Sequence, residues 1–148
     1  MILVAAVALT GCAGRTLPPV SGERTDFSDA AAWEEPEDYQ FSVASSCGER
    51  AFIGDYRVTV RDGKVASAEV SHPDSGQWNP VEPRWLLAIL TLAEMLDEVR
   101  EAEADGADTV EVVTDPADGH PVEVRVDYAV HAIDDESCYD VTEYEPNG

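Results

Sequence analysis

Lysine is nearly absent from this chain. Lys64 is the only one, and with arginine it makes nine cations against 31 Asp and Glu, a formal net charge of -22 over 148 residues. A surface of that sign repels nucleic-acid phosphates and anionic lipid head groups. DNA, RNA and electrostatic docking on a bilayer are therefore excluded as partners. Long apolar runs are missing too: a spanning helix needs about 20 such residues, and Ile2 to Leu9 falls far short. There are three histidines, His72, His120 and His131, and none stands in a His-x-x-x-His pair or beside a cysteine pair, the spacings that zinc sites use. No Gly-x-Ser-x-Gly elbow, phosphate-binding glycine loop or dinucleotide fingerprint occurs. A trio such as Ser46, His131 and Asp127 can be picked out, as from any chain of this length, with nothing to set it apart. No catalytic residue and no cofactor are assigned, and the expectation is a protein that is not an enzyme.

What is present is enough for one domain. The apolar share of 44% supports a core, and the length allows a single domain of ordinary size. The negative charge serves solubility and self-repulsion in the plainest reading, and attraction of cations or a basic partner in the sharper one.

The first dozen residues give an address. Ile2-Leu3-Val4-Ala5-Ala6-Val7-Ala8-Leu9 is a short apolar run, and Leu9-Thr10-Gly11-Cys12 follows with small residues before the cysteine, as in a secretory signal and its cleavage site. These four residues resemble the bacterial lipobox. The resemblance implies diacylglycerol on the Cys12 thiol, cleavage before Cys12 and acylation of the new amino terminus. Two or more acyl chains hold firmly where one does not, so the membrane would be a partner through lipid on Cys12. The protein would then be extracytoplasmic, on the outer face of the cell membrane. Met1 runs into the apolar core with no basic residue, so the true start is expected upstream. An ordinary cleaved signal, or a buried strand with an incidental cysteine, is the alternative. The expected organisation is a signal peptide over 1–11, lipidated cysteine and flexible tether over 12–27, and one domain over 28–148.

With Cys12 lipidated, Cys47 and Cys138 remain as an even pair in an oxidising compartment, where pairing is the default. A thiolate metal site lacks neighbouring ligands, and a reactive single thiol is the remaining alternative.

Further along, Ser28 can cap a short helix over Asp29 to Glu34, whose Trp33 packs on the domain. Tyr39 to Ala44 alternates apolar and polar residues and reads as a half-buried strand, with Phe52 and Ile53 as a short continuation. Tyr56–Val60 and Val65–Val70 flank Arg61-Asp62-Gly63-Lys64, a hairpin signal that puts Tyr56, Val58 and Val60 on one face. Ser71 to Pro83 reads as a loop in which Trp78 closes one end of the core. Arg84 to about Ala104 has helical periodicity through Trp85, Ile89, Leu92, Leu96 and Val99. Its acidic end opposes the macrodipole and should fray before Gly106. Thr109–Thr114 and Pro121–Tyr128 make a second hairpin, and a last strand near Tyr139–Tyr144 would bring Cys138 to the sheet edge. The fold class is α+β: an antiparallel sheet of about five to six strands with one long helix packed on one face.

Oxygen ligands for calcium are available in two acidic loops, from Asp115 and Asp118, and from Asp134, Asp135 and Glu136. They lack the EF-hand spacing and its glycine, and solvated turns are the plainer reading. A series of residues remains: Trp33, Tyr39-x-Phe41, Val58-x-Val60-x-x-Gly63-x-Val65, the long helix, Gly119-His120-Pro121, Val126-Asp127-Tyr128, Ala132-Ile133-Asp134-Asp135-Glu136 and Tyr139-x-Val141. The series resembles a family of small secreted or lipid-anchored bacterial domains of unknown function, common in actinobacteria. The scarcity of lysine, asparagine and isoleucine agrees, as the signature of a GC-rich genome. That family's early Cys-x-Cys-like element is reduced here to Cys47, and it implies no activity. The reading is a lipid-anchored, non-enzymatic interaction module with an envelope protein partner. A small-ligand or divalent-cation binding module using the acidic loops is the alternative.

Overall fold

Alternation of apolar and polar residues builds the centre of the sheet. The computed structural model describes residues 33–129 and 131–147. Cys12, the tether and most of the short helix expected after Ser28 lie outside them, and Trp33 and Glu34, its expected last turn, are not helical. Strand β1 (Tyr39–Ser45) buries Tyr39, Phe41 and Val43, and β2 (Gly54–Arg61) buries Tyr56, Val58 and Val60. Phe52 and Ile53 do not extend β1 but belong to the loop leading into β2. The turn from β2 to β3 (Lys64–Ser71) has positive φ at both Asp62 (51°) and Gly63 (66°), which a type I′ turn requires. Strands β1, β2 and β3 pair antiparallel, with Phe41 opposite Val58 and Val58 opposite Ala68.

The expected loop at Ser71–Pro83 contains a further strand, β4 (Trp78–Pro80), paired with β3 through Ser71 and Trp78. The Gly76 N–H donates to the His72 carbonyl at 2.8 Å and the His72 N–H to the Gln77 carbonyl at 2.8 Å. These two bonds fold the chain straight back. Pro80 is tolerated because β4 is an edge strand. Trp78 does not close the core: the Arg57 guanidinium stacks on its ring at 4.1 Å from the centroid.

The single helix expected over Arg84–Ala104 is broken. A 3-10 helix spans Pro83–Ala88, Ile89 is extended (φ -90°, ψ 127°), and α1 spans Leu92–Asp105. The cause is a capping box: the Thr91 hydroxyl accepts the Glu94 N–H, and the Glu94 carboxylate accepts the Thr91 N–H. Ile89, Leu92, Met95, Leu96, Val99 and Ala102 are buried, whereas Trp85, placed in the core stripe by periodicity, is 55% exposed. The acidic end does not fray before Gly106. Gly106 takes the left-handed conformation (φ 77°) and the Ala107 N–H reaches back to the Ala102 carbonyl at 2.9 Å, so the last carbonyls are satisfied.

Strands β5 (Thr109–Thr114), β6 (Pro121–Asp127) and β7 (Glu136–Pro146) complete an antiparallel sheet of seven strands in the order β4-β3-β2-β1-β7-β6-β5. The fold is α+β, with α1 against one face. Strand β7 lies between β1 and β6, so Cys138 is in the middle of the sheet and not at its edge. Burial explains this: Ser137, Tyr139 and Val141 point into the core, and such a strand gains most with neighbours on both sides. Cys138 is joined to Cys47, 91 residues away in sequence. A bridge over a loop of that length is worth on the order of 4–5 kcal/mol in the chain-entropy model. Next to it, Gly48 (φ 77°) passes so close to β7 that a Cβ would lie 2.0 Å from the Glu136 carbonyl oxygen.

Two residues ahead of the helix finish its N-terminus. The Leu92 N–H donates to the Tyr39 hydroxyl (3.0 Å) and the Ala93 N–H to Glu35 Oε1 (3.0 Å), while the Tyr39 hydroxyl donates to the same carboxylate. Every N–H of the first turn thus has an acceptor, where an uncapped helix would leave them orphaned. Tyr39→Phe strips the buried Leu92 N–H of its acceptor and is expected to lower unfolding free energy by about 1–3 kcal/mol, measured by urea denaturation. Thr91→Ala, measured in the same way, should cost about 1 kcal/mol.

Candidate metal centre

The loop joining β5 to β6 is held by its own polar groups. The Asp115 N–H donates to the His120 carbonyl and the Gly119 N–H to the Asp115 carbonyl, both at 2.8 Å, and the Asp115 carboxylate accepts the Ala117 N–H at 2.8 Å. Asp118 Oδ1 accepts the His120 N–H at 3.1 Å and lies 2.5 Å from His120 Nδ1. Gly119 supplies the positive φ (87°) that lets the chain turn toward β6. The result brings carboxylate oxygens of Asp115 and Asp118 and a ring nitrogen of His120 all within 4.8 Å of one another.

His120 is the buried member of this group, with 8% of its surface exposed. Its ring stacks on Tyr144 of β7 (centroids 4.1 Å apart, planes 27° apart), and Trp33 meets Tyr144 edge-on at 6.3 Å. The rigid imidazole is thereby presented from the protein body, while Asp118 stands at the solvent edge. Burial pulls the Asp118 carboxyl upward, but its hydrogen bonds from the His120 ring and backbone outweigh that and hold it below the usual range. Such a carboxylate is ionised and ready to bind a cation at neutral pH. An Asp, Asp, His set can hold a divalent ion and leave coordination positions for water or a ligand.

Asp115 and Asp118, candidates from the sequence, are therefore brought together. Asp134, Asp135 and Glu136 are not part of the group: they follow β6, whereas Asp115 and Asp118 precede it, and seven strand residues, about 20 Å, separate the two loops. The exposed Asp134 gives its carbonyl to the Glu49 N–H at 3.1 Å, and Glu136 opens β7 opposite Asp127. His72 and His131 are exposed. His120 went unassigned because zinc signatures are sought as histidine or cysteine pairs. The signal was Asp115-x-x-Asp118-x-His120, compressed into one hairpin loop.

Residues 28–146 match a family of unknown function, DUF6174. The chain belongs to that family. No curated protein and no solved structure matches it. The family match thus covers the whole sheet, α1 and the Asp–Asp–His loop, and brings no activity with it. Among the described residues no helix is long and apolar enough to cross a membrane.

A second polar group lies at the other end of the family domain, beside the disulfide. Glu98 of α1 accepts hydrogen bonds from Ser137 (2.5 Å) and Tyr139 (2.9 Å) of β7 and pairs with Arg50 (2.5 Å), its own side chain only 11% exposed. It fastens helix to sheet, with Arg50 balancing the charge. Burial, then the Glu98 charge, pushes the Tyr139 phenol up to about 12. Burial and the Glu35 contact push Tyr39 still further. Unfolded tyrosine titrates near 10. The two phenols therefore contribute stability that is intact below pH 10 and is lost as pH rises through 12 and beyond, because only the unfolded chain releases those protons. Urea midpoints should hold steady up to about pH 9 and then fall steeply. Tyr139→Phe should flatten part of that fall, and a midpoint level to pH 12 in the parent chain would contradict the assignment.

Proposed function

We propose that this domain is a divalent-metal binding module held outside the cytoplasmic membrane by lipid on Cys12. The metal reading rests on one observation: donor atoms of Asp115, Asp118 and His120 lie within 4.8 Å of one another in a loop braced by four internal hydrogen bonds. The donor set also selects the ion. Calcium takes oxygen ligands, six to eight of them, and two carboxylates with an imidazole are a poor match. Imidazole with carboxylate suits zinc and its first-row neighbours, so the ion is of that class and not the calcium that acids alone would favour.

The place of action rests on Leu9-Thr10-Gly11-Cys12 and on the Cys47–Cys138 bridge, since such bridges persist in oxidising compartments.

Zinc titrated into the full chain should raise the melting temperature, with a stabilisation of about 2.7 kcal/mol when free zinc is a hundredfold above Kd. Calcium should not. Asp115→Asn, which keeps the shape of the side chain, should abolish the zinc response together with His120→Gln. A zinc response that survives both substitutions would sink the assignment. For the anchor, intact-mass analysis of protein from native membranes should show an acylated Cys12 at the amino terminus, and an unmodified thiol there would end that part of the reading.

A further inference from the structure

Among the described residues, α1 and the 3-10 helix cover one face of the sheet and no element covers the other. A groove of about 720 Å³ crosses it from β4 to β7. Its floor is neutral and hydrogen-bonding, made by Gln40, Ser42, Thr59 and Ser67. Such a floor gives an apolar helix or an acyl chain little to bury against. It matches instead a chain that brings its own amides and hydroxyls.

The charge of the groove is uneven. Arg57 is the only cation among its lining residues, and it is drawn to the β4 wall by stacking on Trp78. The opposite wall, on β7, is acidic. There the register with β1 shifts between Gln40 and Ser42, and Glu143 takes a positive φ of 51°. A bulge of this kind adds one residue to the strand and re-aims its side chains. Glu143 and Glu145 both line the groove, while Tyr144 between them stacks on His120. Glu143 accepts a hydrogen bond from Ser42 at 2.7 Å. No arginine or lysine among the described residues pairs with either carboxylate.

We infer that this open face docks a lysine- or arginine-bearing polypeptide segment in extended form, with its cations on Glu143 and Glu145 and its backbone over the hydroxyl floor. Glu69 also lines the groove, opposite Arg57 on β3, so the β4 side carries one charge of each sign, and the partner's positive charge is drawn to the β7 end, where two acids stand together. The excess of 31 acids over nine bases in the whole chain steers a basic partner toward the protein, and the groove selects where it lands. The inference does not depend on the metal centre.

A labelled decapeptide of alternating lysine and serine, titrated into the full chain by fluorescence anisotropy at low salt with EDTA present, tests this directly. Glu143→Gln/Glu145→Gln should weaken binding about tenfold. Glu101→Gln/Glu103→Gln, which removes the same charge from the exposed side of α1, should change it less than about twofold. Both variants are first shown to melt as the parent does. Equal losses from the two pairs would mean attraction to net charge alone and would overturn the proposal, as would an absence of saturable binding. Self-association of the free chain that the β7 pair abolishes would assign the face to a second copy, and would overturn it equally.

Discussion

The start of α1 is where the structure is decided. Four backbone N–H groups at that point, those of Thr91, Leu92, Ala93 and Glu94, are met by Glu94, Tyr39, Glu35 and Thr91 in turn. Two of these acceptors come from outside the helix. Tyr39 belongs to β1, a central strand, and Glu35 to the segment leading into it. Anchoring there fixes where the helix begins, and Leu92, Met95, Leu96 and Val99 then fall over the sheet at the helical repeat. The same tyrosine ring lies 5.7 Å from Tyr144, and Tyr144 in turn stacks on His120. Helix, central strands and the Asp–Asp–His loop are thus linked through one aromatic side chain.

The opposite end of the helix layer is secured by different chemistry. Glu98 binds Ser137 and Tyr139 of β7 while Arg50 neutralises it, and Cys47–Cys138 ties the segment after β1 to the same strand. Gly48 allows the close approach that this demands. A carboxylate that is largely buried is stabilising only when each oxygen is satisfied and its charge is countered. Here both conditions hold.

Periodicity made the strands around Tyr39, Val58, Val112 and Val124 legible, because a half-buried strand must alternate. Asp62-Gly63 fixed the first hairpin through the backbone angles those residues tolerate. What escaped was of two kinds. Local breaks hidden inside a continuing apolar period were missed. Thr91-Leu92-Ala93-Glu94 is a readable capping box, yet Ile89 and Leu92 keep the helical spacing across it, so the interruption left no gap in the pattern. Strand β4 is only three residues long and has no period at all. Long-range placement was the other kind. Nothing in Tyr139–Tyr144 says that it joins two half-sheets, since that depends on which edges β1 and β6 leave free. Asp115 and Asp118 were legible as acidic loop residues, but His120 became a partner only through the hairpin turn that folds it back and the Tyr144 ring beneath it.

The position of β7 has a consequence for the order of assembly. Strands β1–β4 form one ladder and β5–β6 another, and only Glu136–Pro146 hydrogen-bonds to both. Closing contacts between residues roughly a hundred apart is slow, since loop-closure entropy must be overcome before those contacts form. While those eleven residues are still unavailable, the earlier ones cannot settle into a finished sheet. The two ladders therefore become one sheet only once Glu136–Pro146 has inserted between β1 and β6.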